Sequence, residues 1–325
     1  MKLHIPCQYQ LVFTALSFMK HDGTSVKAQS SHFAYILDSS RSITGVAGTK
    51  FGRQVAFSSD GSKIIISSEF SNGSDGQFYG YYDDGTTWTL YDDPGVAGKK
   101  GSDEQFGKYV DVSDDGNIVA TGARYHNGGY NNNGYATVWS YDGMTWSQMG
   151  SSKKGDHDGA NYGLHVKISD DGSRFVTGGI KHLGTRGAAQ VFSFNNVTMD
   201  WDQLGSDIRG EKSGDGFGKA FAISGDGSTI SICSDEDRRY IWVMYFDENK
   251  DDWDLKGAQF YLPSNTYRTK SMWLNYDGSQ FAYGAYDSND DGFVQVYNWN
   301  DASSAWVQKG EDITADNGFT GFGVG

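Results

Sequence analysis

Asp287, Asn289 and Asp291 come closer to a metal-binding site than any other stretch of the sequence. They place side-chain oxygen atoms at alternate positions, and a glycine follows them, as in loops that bind calcium. Because hard cations prefer carboxylate and amide oxygens, calcium is the one cofactor that the sequence suggests. The ninth and twelfth positions of such a loop are Gln295 and Asn298, so no closing carboxylate is in place. An acidic hairpin loop is therefore the competing interpretation.

The histidines and arginines do not form a recognisable catalytic or metal-binding set. His157 lies between two aspartates and His126 follows Tyr125, and neither has a second histidine at the short spacing of a zinc motif. The arginines at positions 53, 124, 186 and 238 are far apart, and nothing in the sequence brings them together. We therefore expect a protein that is not an enzyme.

An internal repeat organises most of the chain. Asp-Gly pairs begin at positions 60, 115, 171, 226 and 277, in steps of 55, 56, 55 and 51 residues. Nine residues before each of the first four lies an aromatic residue followed by glycine: Phe51, Phe106, Tyr162 and Phe217. The fifth unit has Arg268-Thr269 in this place. Later in each unit comes a tryptophan with a glycine four residues on, at Trp146, Trp201, Trp253 and Trp306, whereas Trp88 is followed by Asp92.

Each unit contains four short segments with the composition of β-strands, separated by turn residues. In the second clear unit they include 110–113, 118–122 and 135–139, and the last begins near Trp146. Four such strands predict an antiparallel meander. Because one meander cannot bury both of its faces, the repeats must pack on each other. The sequence therefore predicts an all-β fold, a β-propeller of four-stranded antiparallel blades in a single domain over residues 1–325.

The number of blades depends on the two ends of the chain. The clear repeats cover residues 51–105, 106–161, 162–216, 217–267 and 268–321. Residues 1–50 resemble a degenerate copy that lacks its first strand, and residues 322–325 supply that strand in register. We therefore predict six blades, with the two termini sharing one blade. Seven blades or an open fragment are the alternatives, and a signal peptide within the first 28 residues is a competing interpretation of the N-terminus.

The repeats resemble those of the FG-GAP family. The resemblance rests on the aromatic-Gly pair, the apolar strand ending in Ser-x-Asp-Gly, and the stretches 201–210 and 215–218. It covers residues 51–325 and implies a propeller like that of integrin α chains, with a role in adhesion or ligand binding and without catalysis. The Ser-x-Asp-Gly turn is shorter than the calcium loop of integrin repeats, so those calcium sites are not carried over.

Two turns resemble a different group of propellers. Residues 83–88 and 140–146 are similar to the Asp box of sialidase-type propellers, and both lie between the third and fourth predicted strands. The box is an element of the fold and does not by itself imply activity. A glycosidase of the sialidase type is nevertheless the alternative function, and a structural scaffold within a larger assembly is a third.

One face of the predicted propeller carries the loops that differ between blades. We label the strands of a blade a to d. The a–b turns are short and uniform, whereas the b–c and d–a loops at the opposite end vary. Variable loops on a rigid scaffold commonly carry binding specificity. The predicted ligand-binding face comprises Phe70, Tyr125, His126, Tyr130, Lys181, His182, Arg186, Arg238, Arg239 and Tyr286.

The charge balance restricts the partners. The formal net charge is −14, whereas nucleic acids and anionic membranes both require basic surfaces. No apolar run approaches the roughly 18 residues of a membrane span. We therefore expect neither nucleic-acid binding nor membrane insertion. Cys7 and Cys233 do not show whether they pair, and we interpret both as small core residues.

Together these observations predict an acidic, extracellular or cell-surface protein for adhesion, protein binding or carbohydrate binding. A protein or a glycan would bind to the b–c and d–a loops. Asn72 and Asn196 each begin an Asn-x-Ser/Thr triplet and are candidate N-glycosylation sites, in keeping with that location.

Overall fold

Five antiparallel sheets, each built from four consecutive strands, make up the part of the chain that the computed structural model describes. The described residues are 42–98, 105–126, 132–234, 239–262, 266–287 and 291–314. All of them fall in the unit Ser40–Gly325, which is distinct from Met1–Ser39.

The first two sheets, blades 1 and 2, contain eight strands and one short helix. Blade 1 consists of β1 (Phe51–Phe57), β2 (Lys63–Ser68), β3 (Gln77–Asp83) and β4 (Trp88–Ala97), with α1 (Ser71–Ser74) between β2 and β3. Blade 2 consists of β5 (Val110–Val112), β6 (Ile118–Ala123), β7 (Tyr135–Tyr141) and β8 (Trp146–Lys154).

Each of blades 3 to 5 adds a two-residue strand that pairs with its own third strand. Blade 3 consists of β9 (Val166–Ile168), β10 (Arg174–Gly179), β11 (Ala188–Asn195), β12 (Asp200–Gln203) and β13 (Ile208–Arg209). Blade 4 consists of β14 (Phe221–Ile223), β15 (Thr229–Cys233), β16 (Tyr240–Asp247), β17 (Asp252–Leu255) and β18 (Phe260–Tyr261). Blade 5 consists of β19 (Thr266–Leu274), β20 (Gln280–Asp287), β21 (Gly292–Asn300), β22 (Ala305–Gln308) and β23 (Ile313–Thr314).

The first strands of successive blades lie side by side, from β1 through β5, β9 and β14 to β19. These strands are therefore the innermost ones, and the fourth strands lie at the outside. Buried side chains fill the space between the faces of neighbouring sheets: one cluster combines Ile65 and Phe78 of blade 1 with Phe106 and Val119 of blade 2. The arrangement is that of an all-β propeller with four-stranded antiparallel blades.

The structure has five blades where the sequence predicted six. The sixth blade was to combine residues 1–50 with 322–325, and of these only 42–50 are among the described residues, where they form no strand. The predicted match at the N-terminus rested on a few apolar positions. The first 50 residues contain no tryptophan, the residue that joins the later blades to one another.

The a–b hairpins contain the predicted Asp-Gly turns. In blade 1, Asp60 accepts hydrogen bonds from the Ser58 hydroxyl (2.7 Å) and the Ser62 N–H (2.9 Å). The Ser58 hydroxyl in turn accepts one from the N–H of Lys63 (2.9 Å). The bonds from Ser58 and Ser62 lower the pKa of Asp60 to about 2. The repeated aspartate is thus engaged within its own turn.

A tryptophan joins each of the last three blades to the blade before it, through a hydrogen bond that we call the indole contact. The indole N–H donates to the carbonyl just before the motif glycine: Trp201 to Met149 (2.7 Å), Trp253 to Leu204 (2.8 Å) and Trp306 to Lys256 (2.7 Å). A Cβ atom on Gly205 would lie only 2.8 Å from Cδ1 of Trp253. The glycine of one repeat is therefore required by the tryptophan of the next.

Backbone hydrogen bonds link the blades at the a–b end of the innermost strands. The N–H groups of Ser59, Asp114 and Asp170 donate to the carbonyls of Asp114, Asp170 and Gly225 at 2.9, 2.7 and 2.9 Å. Burial, with the charges of Asp114 and Asp111, raises the pKa of Asp170 to about 6. Carboxylates therefore lie close enough to raise one another's pKa at the a–b end of the innermost strands.

Candidate functional site

Basic side chains surround one buried carboxylate at the b–c end of the innermost strands. Glu69 directly follows β2, and Lys108 lies two residues before β5. The Lys108 ammonium donates to one oxygen of Glu69 at 2.7 Å, and Lys50 Nζ and Arg53 Nε lie 3.4 and 3.7 Å from the other. The side chain of Glu69 is 2% exposed, whereas Lys50 and Arg53 are nearly half exposed. The anion is therefore buried beneath its cations.

The charges of these residues act on each other's pKa. Burial raises the pKa of Glu69, but the hydrogen bond and charge of Lys108, with Lys50 and Arg53, outweigh burial and lower it. Burial lowers the pKa of Lys108, the bond to Glu69 opposes this effect, and Arg124 and Arg53 lower it further. Glu69 is therefore ionised at neutral pH and is a poor proton acceptor.

His165 lies in the same electrostatic environment in blade 3. Its ring centroid is 3.9 Å from that of Tyr109, on the neighbouring innermost strand. Burial lowers the pKa of His165 to about 3, and the positive charges of Lys167, Lys219 and Arg124 contribute. The imidazole is therefore neutral at physiological pH.

Arg124 directly follows β6 and is stacked on its neighbour. Its guanidinium carbon lies 4.2 Å from the ring centroid of Tyr125 and its Nη2 contacts the Tyr125 hydroxyl, while Nε is buried without a hydrogen-bond partner among the described residues. Lys50, Arg53 and Lys108 surround Glu69, the charge of Arg124 acts on Lys108, and the charge of Lys219 acts with that of Arg124 on His165. We call these five cations the basic channel cluster. The charge of this cluster is positive, whereas the net charge of the whole chain is negative. A cluster of this kind favours the binding of an oxyanion.

The sequence contains a signal for this cluster that the repeat analysis missed. The residue after the aromatic-Gly pair is basic in three of the four units that have the pair: Arg53, Lys108 and Lys219. The third such unit has Leu164 instead. This position lies within β1 in blade 1 and two residues before the innermost strand in blades 2 to 4.

The predicted ligand-face residues occupy several different environments. Phe70 and Tyr125 lie at the basic channel cluster, where Lys50 Nζ is 4.1 Å from the Phe70 ring centroid. His126 and His182 are buried. The His126 ring packs edge-on against Tyr135, and His182 Nδ1 lies 2.8 Å from an oxygen of Asp156. These two histidines hold their loops against the blades.

The remaining residues of the predicted face are dispersed. Lys181 and Arg186 are exposed, and Arg239 and Tyr286 are half-buried. Tyr130 and Arg238 lie outside the described residues. Of the predicted face, Phe70 and Tyr125 therefore lie beside cations of the basic channel cluster. The ligand-binding role of all ten residues stays a prediction.

The predicted calcium loop falls at the junction of β20 and β21. Asp291 is exposed, whereas Asn289 and the side chain of Asp287 lie outside the described residues. Among the residues that the structure does describe, no group of three or more His, Cys, Asp or Glu side chains is placed to hold a metal ion. Calcium binding by this loop stays a prediction.

The predicted glycosylation sites differ in what is described of them. Asn196 is exposed at the tip of the hairpin between β11 and β12, next to Val197, which is 91% exposed. Asn72 lies in α1, and its side chain is outside the described residues. Cys233 is buried, as predicted for a core residue, and Cys7 lies outside the described residues. None of the described residues belongs to a helix long and apolar enough to cross a membrane.

Comparisons with known proteins bear on the fold. No protein-family model matches the chain, and no curated protein sequence matches it either, so the FG-GAP resemblance stays a prediction. Among solved structures, the chain is similar to hydrazine synthase of Kuenenia stuttgartiensis at a TM-score of 0.51 and 14% identity, over 82% of this chain and 69% of that one. It is also similar to a periplasmic gluconolactonase of Pseudomonas aeruginosa at a TM-score of 0.52 and 14% identity, over 80% and 71% of the two chains. At this identity the likeness shows the fold alone, and the fold is a β-propeller.

Proposed function

We propose that the protein is a non-enzymatic binding propeller that takes an anionic group of its partner at the basic channel cluster. The observation that carries the proposal is that Lys50, Arg53 and Lys108 lie within 4 Å of the buried carboxylate of Glu69, in a chain whose net charge is −14. The positive charge of Arg124 adds to this group, since it lowers the pKa of Lys108. Charge-assisted hydrogen bonds from Lys and Arg to an oxyanion are roughly twice as strong as neutral ones. A carboxylate or sulfate group is the chemistry that this cluster recognises.

The aromatic residues beside the cluster favour an acidic glycan as the partner. Phe70 lies against Lys50 and Tyr125 against Arg124, so each ring stands next to a cation. A sugar with an acidic substituent offers a ring face and an oxyanion within one residue, and therefore matches both kinds of contact. Such glycans occur outside cells, which agrees with the predicted location.

Binding to acidic and neutral glycans on an array, followed by calorimetric titration of the best hit, tests the proposal. Arg124→Gln and Lys219→Gln should each weaken binding about tenfold, since a hydrogen bond to a charged group contributes about 1.5–3 kcal/mol. Affinity should also fall as the salt concentration rises. Lys250→Gln is the matched control, because Lys250 is 60% exposed on the c–d hairpin at the opposite end of blade 4.

Two results would overturn the proposal. One is that no acidic glycan binds, and the other is that the Arg124 and Lys219 variants bind as well as the Lys250 variant does. Binding of an acidic protein segment in place of a glycan, with the same loss in both variants, would retain the cluster and replace the partner.

Hydrolysis of a sugar lactone is the second candidate function. One structural neighbour is described as a gluconolactonase, and propellers can place catalytic groups at the channel. Glu69 argues against it, because Lys108 holds its carboxylate ionised and paired. Steady proton release from gluconolactone in a pH-stat, abolished by Arg124→Gln, would replace the binding proposal with an enzymatic one.

A further inference from the structure

The residue at the centre of the third strand varies between blades. The position is Tyr79, Thr137, Gln190, Trp242 and Gln295 in blades 1 to 5, as the strand pairing shows. Threonine in blade 2 is the smallest of the five residues.

In blade 3 the glutamine at this position is the centre of a hydrogen-bonded network. Gln190 donates to Asp207 at 2.7 Å and accepts a hydrogen bond from the Tyr162 hydroxyl at 2.7 Å. Gln203 donates to the same oxygen of Asp207 at 3.1 Å. Polar side chains therefore fill the space between the third strand and the chain beyond the fourth.

Blade 5 repeats this network. Gln295 donates to Asp312 at 2.8 Å, and Gln308 donates to the same oxygen at 2.7 Å. The Tyr283 hydroxyl donates to Gln295. In both blades, therefore, one carboxylate oxygen of an aspartate accepts hydrogen bonds from two glutamine side chains.

Blade 2 has lost the large members of the network. Thr137 replaces the central glutamine, Ser152 stands two residues after the motif glycine where blade 3 has Asp207, and Phe106 replaces Tyr162 without its hydroxyl. Gln148 remains, and it donates to the Gly150 carbonyl and to the Ser152 hydroxyl at 2.8 and 3.3 Å. Three shorter side chains leave room that is filled in the sister blades.

The result is a cavity of about 450 Å³ between blade 2 and the end of β4. The rings of Phe106, Tyr135 and Trp139 line it on the apolar side, and Thr137, Gln148 and Lys154 are among the polar residues. A volume of roughly 300–1,000 Å³ with aromatic walls and a few polar groups is typical of small-molecule sites.

Two buried donors at this cavity are unsatisfied. Thr137 is 3% exposed, and neither its hydroxyl oxygen nor the buried Trp139 Nε1 has a hydrogen-bond partner among the described residues. The two residues are two positions apart on β7 and therefore point to the same side of the sheet. A buried polar group without a partner costs about 1–3 kcal/mol. A ligand that accepts these hydrogen bonds removes that cost, and its binding is stabilised accordingly.

We propose that the cavity beside β7 is a binding site for a single sugar residue. Sugar hydroxyls accept from the Thr137 hydroxyl and the Trp139 indole N–H, and the apolar face of the ring packs on the aromatic wall. The polar groups of the sugar take the place of the amide and carboxylate that blade 3 supplies from its own chain. This site is separate from the basic channel cluster and does not depend on the function proposed for it.

Refilling the cavity with the residues of blade 3 tests the proposal. The double variant Thr137→Gln with Ser152→Asp rebuilds the network and should abolish sugar binding while the melting temperature stays equal or rises. The probes are glucose, galactose, mannose and N-acetylglucosamine at millimolar concentrations, followed by ligand-observed NMR and titration. In the intact protein at least one of the four should bind.

A pair of single variants covers the event that the double variant does not fold. Thr137→Val keeps the shape and removes the hydroxyl, so it should weaken sugar binding about tenfold, the loss expected for one hydrogen bond. Thr137→Ser keeps the hydroxyl and should bind within about twofold of the parent protein, on the same hydrogen-bond reasoning. Arg124→Gln, which affects only the channel, should leave sugar binding unchanged.

The proposal fails if none of the four sugars binds, which would leave the cavity to water. It fails equally if the refilled variant or Thr137→Val binds sugar as the parent protein does. Loss of sugar binding in Arg124→Gln would place the sugar at the channel and would also refute the site beside β7.

Discussion

Replacing Gly205 with alanine should destabilise the propeller by much more than the same change at Gly310. Both glycines end a Trp-x-x-x-Gly motif and have positive φ angles, 72° and 77°. An L-residue in this conformation costs roughly 1–2 kcal/mol, and that cost applies at both positions. The difference between them therefore isolates the packing of the next blade.

The structure shows what the added methyl group meets at Gly205. Its Cβ would lie 2.8 Å from Cδ1 of Trp253 and 2.9 Å from an oxygen of Asp252, whereas a Cβ on Gly310 would meet no described atom within 4 Å. Moving the indole strains the core by about 1–3 kcal/mol and weakens its hydrogen bond to Leu204, a further loss of about 1 kcal/mol. We expect total losses of about 3–6 kcal/mol for Gly205→Ala and about 1–2 kcal/mol for Gly310→Ala.

Equilibrium unfolding in urea, followed by circular dichroism, measures both free energies, with the slopes compared to check that the transitions are alike. Gly143→Ala is a second control, since Gly143 has a φ of 98°, nothing within 4 Å, and lies on a hairpin inside blade 2. Equal losses at all three glycines would show that the indole contact does not constrain the glycine, and would refute the reasoning.

Three further predictions concern charged groups. The pKa of Asp170, about 6, is above its ordinary value of 3.8, so its contribution to stability is fully present below pH 3.8 and is lost as the pH rises through 6. Asp170→Asn should therefore raise the free energy of unfolding by about 1 kcal/mol at pH 8, after allowance for solvent screening, and should change it little at pH 4. The control Glu248→Gln, at an exposed site, should leave the free energy of unfolding unchanged at both pH values. Lys108→Met should cost about 3 kcal/mol at pH 7 by leaving Glu69 buried without its closest partner, and adding Glu69→Met should recover most of the loss in the same urea assay. Chelation should lower the melting temperature if the predicted calcium loop holds an ion, and Asp291→Ala should remove that difference; identical melting curves with and without chelator would contradict the calcium prediction.

The blade architecture was predictable because it rests on local chemistry that recurs. Each Ser-x-Asp-Gly turn closes through bonds among neighbouring residues, as Asp60 does with Ser58 and Ser62, so short sequence patterns locate the hairpins. The blade number was not predictable in this way, because it depends on whether a weakly matching segment packs like the others. The six-blade prediction was wrong for this reason.

The candidate sites were less accessible to sequence reasoning. Glu69 and Lys108 are 39 residues apart and meet only because the start of one innermost strand lies beside the end of a strand in the blade before. His126 and His182 have the polarity of ligand-binding residues, yet aromatic rings and Asp156 hold them in the interior. The cavity beside β7 requires an alignment of the blades in space, since the signal is a set of small residues where sister blades have large ones.

The indole contact also has a direction along the chain. In every case the carbonyl that accepts the hydrogen bond belongs to the earlier blade and the tryptophan that donates it is made about 50 residues later, as with Met149 and Trp201. During synthesis, which proceeds from the N-terminus, a finished blade therefore already presents its acceptor and its open glycine when the next blade emerges. Each blade can dock on a completed neighbour, and the exposed sheet face is never more than one blade wide at the growing end.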